Sequence, residues 1–132
     1  MRAFLLALAI FACALPAAAA ERYDALIARH AAANGVPEAL VRQVIARESR
    51  YDAGAVGRGG AMGLMQIKHA TARGMGYTGS AQGLLDADTN LTYAVRYLAG
   101  AYRAARGDYV FAISFYQRGY YYEAKRQRLG LN

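Results

Sequence analysis

ESRYDAGAVGRGGAMGLMQI, residues 48–67, changes character twice. It opens as the end of a helix, then passes from Ala53 to Gly63 through a run too rich in glycine to stay helical. It closes on Leu-Met-Gln-Ile, too short for periodicity to assign. Upstream of it a helix begins at Pro37, a residue suited to a first helical turn. Leu40, Val41, Val44 and Ile45 then continue an apolar stripe at i, i+3, i+4 spacing. At about 100° per residue, Glu48 falls within roughly 60° of Val41, Val44 and Ile45, while Arg42, Gln43, Arg47 and Arg50 take other faces. A carboxylate on an apolar stripe is costly unless it is paired, neutralised or used. Two readings follow: Glu48 is bonded to a nearby arginine, or it does chemistry.

Outward from this stretch the pattern is helical. Tyr23, Leu26, Ile27, His30, Ala31 and Asn34 share a face and Asn34-Gly35 supplies a stop, which predicts a helix over 21–34. HATARGMG, residues 69–76, predicts one or two turns closed by glycine. Asp86 and Asp88 precede a long helix with Leu91, Ala94, Val95, Leu98, Ala101 and Tyr102 at helical spacing, ended by Gly107. YVFAISFYQRG, residues 109–119, reads as a buried helix stopped at Gly119. There is no repeat and no linker. The expectation is a mainly α, single helical domain over 21–132, with at most a very small β element near the glycine-rich turn.

The first twenty residues, MRAFLLALAIFACALPAAAA, have a basic start at Arg2, an apolar run from Phe4 to Leu15 and small residues up to Ala20. They read as a signal peptide, residues 1–20, cut before Glu21 and implying export to the periplasm or beyond. The run is short for a permanent anchor, so no stable membrane insertion is expected. Cys13, the single cysteine, lies inside this leader, which leaves the mature chain without a disulfide or a thiol nucleophile. Phe11 sits where a lipid-anchor signal wants a small residue.

Net charge is +7, of which Arg2 belongs to the leader. An exported basic domain meets anionic wall or membrane surfaces rather than nucleic acid, and no nucleic-acid recognition motif is present. The densest cluster, Lys125–Arg128, reads as a solvated basic tail.

Four stretches in order carry a resemblance: ESRYDAGAVGRGGAMGLMQI followed by HATA, then LLDADTNLTYAVRYL, then FAISFYQRG. Together they resemble the catalytic domain of the bacterial soluble lytic transglycosylases, glycoside hydrolase family 23, whose fold is similar to goose-type lysozyme. That family shows a Glu-Ser pair ending a helix, a glycine-rich turn, Gly-Leu-Met-Gln, an Asp-Pro-x-x-Asn-Ile helix start and an Ala-Tyr-Asn-x-Gly segment. The resemblance implies a lysozyme-like helical fold, peptidoglycan glycan strands as substrate, no cofactor and no metal.

It also implies that Glu48 is the catalytic acid. A mostly apolar surrounding disfavours the charged form of such a group and lets it keep a proton for a leaving group. Most glycosidases need two carboxylates flanking the bond, and no second acid here is an obvious partner: Asp52 falls at the turn, and Asp86 and Asp88 read as caps. The resemblance explains how one can suffice, since the sugar's N-acetyl group stabilises charge at the anomeric carbon. Glu48 then takes the proton of the C6 hydroxyl, closing a 1,6-anhydro ring without water.

By the same resemblance Ser49 orients Glu48 or caps its helix, Gly63 lets a sugar approach the backbone, and Met65 and Gln66 line the substrate. A methionine within such a segment is more often core filler, which is the rival reading of Met65. Asn90 is structural, and Tyr116 points at the glutamate and bound sugar. Gln117 stands where the family has asparagine, and Gly57 where a serine is common, so any hydrogen bond the family makes with that amide must be re-aimed or lost, and one hydroxyl contact is removed. Tyr120, Tyr121 and Tyr122 either stack on sugars or close the core; His30 and His69 read as ordinary partly buried histidines. Two rival functions stay open: hydrolysis of the same bond with water, as in goose-type lysozyme, and a wall-binding module without catalysis. The expected form is a monomer, with an envelope-spanning secretion, conjugation or flagellar assembly as a candidate partner.

Overall fold

Helix α5 (Ala87–Ala104) is the element on which the rest is hung. Its start is fixed by Asp86, whose carboxylate accepts from the Thr89 amide at 2.9 Å, satisfying one of the free donors of the first turn. Leu91, Val95 and Leu98 are fully buried along its stripe, each stabilising the fold by about 1.5–3 kcal/mol. Ala94, Ala99 and Ala101 keep the same region thin enough for helices to close on it from several sides. The computed structural model describes residues 15–130.

Around α5 lie α1 (Leu15–Arg22), α2 (Asp24–Asn34), α3 (Glu38–Ser49), α4 (His69–Gly74), α6 (Tyr109–Arg118) and α7 (Tyr121–Arg128). α6 and α2 make the most extensive packing on α5, and α3 packs on α2. The fold is mainly helical, and its β content among the described residues is two isolated bridges, Val56 with Met62 and Met62 with Ile67, at the glycine-rich turn. This matches the expected fold class. No described helix is long and apolar enough to cross a membrane.

Several boundaries follow from local chemistry. α2 ends where Gly35 adopts a left-handed conformation at φ 64°, the Asn34-Gly35 stop. The helix expected over 21–34 is broken at Tyr23 into α1 and α2. α1 crosses the expected cut before Glu21, while residues 1–14 of the expected leader lie outside the described residues. Asp88 is not a cap. Its Oδ1 lies 2.6 Å from His30 Nε2 and 2.6 Å from Arg29, tying α2 to α5, and these partners, His30 first, hold its carboxyl below the usual range. His69 bonds the Gly79 carbonyl at 2.9 Å.

The basic C-terminal segment is solvated as expected, with Lys125, Arg126 and Arg128 exposed, but it is a helix and not a loose tail. It forms α7, anchored by the Gln127 amide, which donates to the Ala104 carbonyl at 2.7 Å. Tyr120 packs against the core with its phenol over Gly100, a position in α5 where any side chain would collide with it. Tyr121 and Tyr122 do not close the core; they are 62% and 79% exposed.

Candidate active site

α3 ends one turn past its last core residues, so Glu48 emerges from the apolar stripe at the edge of a groove instead of inside the core. Leu40, Val41, Val44 and Ile45 are buried, and Glu48 is half-buried. The helix stops without glycine: Arg50 and Tyr51 both adopt left-handed conformations, at φ 53° and 64°. Non-glycine residues in this region are strained, by about 1–3 kcal/mol each, and persist where the surroundings impose them. Ser49 supplies part of that constraint. Its hydroxyl donates to the Leu64 carbonyl at 2.7 Å, with the Ile45 carbonyl 3.4 Å away, and it does not bond Glu48. It ties the end of α3 to the Gly-Leu-Met-Gln segment.

That segment is organised by Asn90, which is wholly buried at the start of α5. Asn90 Oδ1 accepts from the Met65 amide at 3.0 Å, and its Nδ2 donates to the Met62 and Leu84 carbonyls at 2.8 Å each. The side chain thus replaces the backbone ladder that so short a bridge cannot provide, in line with the structural role expected of it. Gly63 is required by the same contact. At φ 71°, a Cβ there would stand 2.5 Å from Asn90 Nδ2 and 2.6 Å from the Leu84 carbonyl. Gly63 is buried, so its freedom serves the approach of Asn90 and not the approach of a sugar. Met65 is also corrected: with 0% exposure it is core, and no part of its side chain reaches the groove.

Gln66, at φ 51°, does line the groove. Its amide nitrogen donates to the Ala55 and Gly63 carbonyls, at 3.1 and 3.0 Å, bracing the glycine-rich turn. Gly57 complements it, since a Cβ at residue 57 would collide with Gln66 Oε1. A serine there would require that amide to move, which gives the missing hydroxyl a physical reason.

The groove has a volume of about 510 Å³ and is walled on its far side by α6 and α5. Tyr116 lines it, but its hydroxyl donates to the Met65 carbonyl at 2.7 Å and not to Glu48. Burial first, then the nearby charge of Glu48 and then Tyr97, push the Tyr116 phenol well above its usual range, so it remains a neutral donor. Tyr97 stands beside it at 5.5 Å between ring centroids and lines the groove too. Sequence reading passed over Tyr97, and also Arg58, Lys68 and Arg118, three cations of the same lining. The signal for Tyr97 was an aromatic flanking the apolar stripe of α5, next to Leu98.

Gln117 makes the contact that joins the two sides. Its Nε2 donates to Glu48 Oε1 at 3.0 Å, across 69 residues of chain. Of the two outcomes the sequence left open, a re-aimed or a lost hydrogen bond, the longer amide makes one, to the candidate acid. Among the described residues lining the groove, Glu48 is the one carboxylate. Asp52 is spent elsewhere, accepting from the Gly54 amide at 2.9 Å in a tight turn.

A helical domain that presents one half-buried glutamate on a groove between a glycine-rich turn and an aromatic helix wall belongs to the lysozyme-like class. Comparison with known proteins narrows this. Residues 25–129 match the family described as Transglycosylase SLT domain, and the chain belongs to that family. It is similar to the peptidoglycan transglycosylase gp16 of Escherichia phage T7, 34% identical over 100 residues, which cover 74% of this chain and 8% of the phage protein. The chain thus spans a small part of that relative's length.

Proposed function

We propose that this domain cleaves the β-1,4 bond between N-acetylmuramic acid and N-acetylglucosamine in peptidoglycan, with Glu48 as the single acid and base, leaving 1,6-anhydro ends. Glu48 donates its proton to the bridging oxygen as the bond from the anomeric carbon breaks. The sugar's N-acetyl group stabilises the positive charge that develops there, and the Glu48 carboxylate then takes the proton of the C6 hydroxyl as that oxygen closes the ring. No water enters the balance. The observation that carries the reading is the solitary Glu48 carboxylate on a substrate-sized groove, with Oε1 held by Gln117. Family membership and the activity named for the phage relative support it.

A donor fixed on Oε1 leaves Oε2 to carry the moving proton. Holding one oxygen in this way presents the other in a constant direction, which is worth more in a reacting geometry than its hydrogen-bond energy alone. Gln117→Asn shortens the reach by about 1.5 Å and breaks a 3.0 Å bond. The lost interaction is worth about 1–3 kcal/mol, and each 1.4 kcal/mol taken from the transition state lowers the rate roughly tenfold. Digestion rates of purified wall, with folding checked by circular dichroism, decide it: a variant as fast as wild type would show that Glu48 does not need this donor.

We also propose that the protein works in the periplasm, on the strength of the basic, apolar and small-residue order of residues 1–20. Mass spectrometry of soluble products from purified peptidoglycan tests the reaction. Muropeptides one water lighter than reducing ends are expected; reducing ends would point to hydrolysis, and wall binding without soluble products to a non-catalytic module.

A further inference from the structure

A second cavity, of about 640 Å³, adjoins the groove and shares Tyr97 and Gly119 with it. It is built where α7 lies against α5. Tyr121, Ala124 and Arg128 reach it from one face of α7 at i, i+3, i+7 spacing, and Gly100 and Arg103 from α5. Tyr120 forms its inner wall, stacked on Tyr97 at 4.9 Å between centroids. Two chemical features stand out. The walls are mostly aromatic and small, and the charged side chains of the lining are the guanidiniums of Arg103 and Arg128, neither paired with a carboxylate among the described residues. Glu123, the acid of α7, is turned away toward Gln127 and Arg126.

We propose that this cavity binds the peptide stem of peptidoglycan, its arginines pairing with stem carboxylates while the glycan lies in the neighbouring groove. The inference rests on the peptidoglycan reading of that groove. Continuity gives the first reason: Tyr97 and Gly119 line both the groove that holds Glu48 and this cavity, so a branch of a chain bound in the groove can extend past them. Charge gives the second. Bare glycan offers only the lactyl carboxylate fixed on N-acetylmuramic acid, whereas a stem peptide turns that group into an amide and carries several free carboxylates further from the sugar, the planar acceptors that arginine takes in paired hydrogen bonds. Tyr121, 62% exposed beside them, gives the apolar part of such a stem a surface to cover.

The test compares a soluble N-acetylglucosamine–N-acetylmuramic acid disaccharide carrying a tetrapeptide with the same disaccharide lacking it. Binding is read by calorimetry on wild type, on the Arg103→Gln/Arg128→Gln double variant and on Arg128→Glu, each checked for folding. Wild type should prefer the peptide-bearing ligand by about tenfold, as expected for ion pairs at a partly screened site, with the preference shrinking at high salt. The double variant should lose that preference and keep its affinity for the bare disaccharide, and Arg128→Glu should lose it as well. Equal affinity of wild type for the two ligands, no binding of the peptide-bearing one, or a preference that survives in the double variant would overturn the proposal. Failure of the catalytic reading shows separately, as a wild-type protein that releases no fragments from wall while these affinities are unaffected.

Discussion

Glu48→Gln is expected to leave the domain folded and to lower peptidoglycan digestion by about 100- to 10,000-fold, the usual loss when a general acid is removed. The substitution nearly preserves shape. Glu48 is half-buried and its bond from the Gln117 amide to Oε1 is replaced by an amide–amide contact of similar length. Stability should therefore change little, since a partly exposed hydrogen bond contributes about 1 kcal/mol. What is lost is a proton acidic enough to leave with the bridging oxygen. Because no second carboxylate among the described residues lines the groove, none of them can take over. Rates on purified wall and thermal unfolding of the two proteins separate the effects: a folded variant with near wild-type rate would remove Glu48 from the mechanism.

Asn90→Leu is expected to have the largest effect on stability. The buried amide satisfies the Met65 amide and the Met62 and Leu84 carbonyls at once. Leucine fills a similar volume and satisfies none of them, so three buried backbone groups would be left unpaired at about 1–3 kcal/mol each. A total of roughly 3–9 kcal/mol is a large share of the 5–15 kcal/mol that holds a small domain. Chemical denaturation would show it as a lower midpoint with little change in slope. A loss under 1 kcal/mol would mean that the glycine-rich turn holds its shape without Asn90.

These two positions differ in how far the sequence could reveal them. Glu48 was legible because helical geometry is local: seven residues of spacing from Val41 place it against the stripe. The Asp86 cap and the Asn34-Gly35 stop were legible for the same reason. Contacts between distant segments were not. Gly63 and Met65 sit in the same motif as Gln66, and a sequence cannot tell which members of a motif face a ligand and which face the core. The structure separates them, Gln66 lining the groove while Met65 is wholly buried. Gln117 marked itself as a departure, yet its target lies 69 residues away. α7 was missed because it has no buried residues and reads as polar throughout, and its place is set by Gln127 and Tyr120 docking on α5.

The central claim is that one glutamate activates the sugar's own hydroxyl and that water takes no part. Digestion of purified peptidoglycan in water labelled with heavy oxygen tests this directly, with the new ends analysed by mass spectrometry. The account predicts anhydro ends that carry no label; incorporation of one labelled oxygen at each broken bond would contradict it.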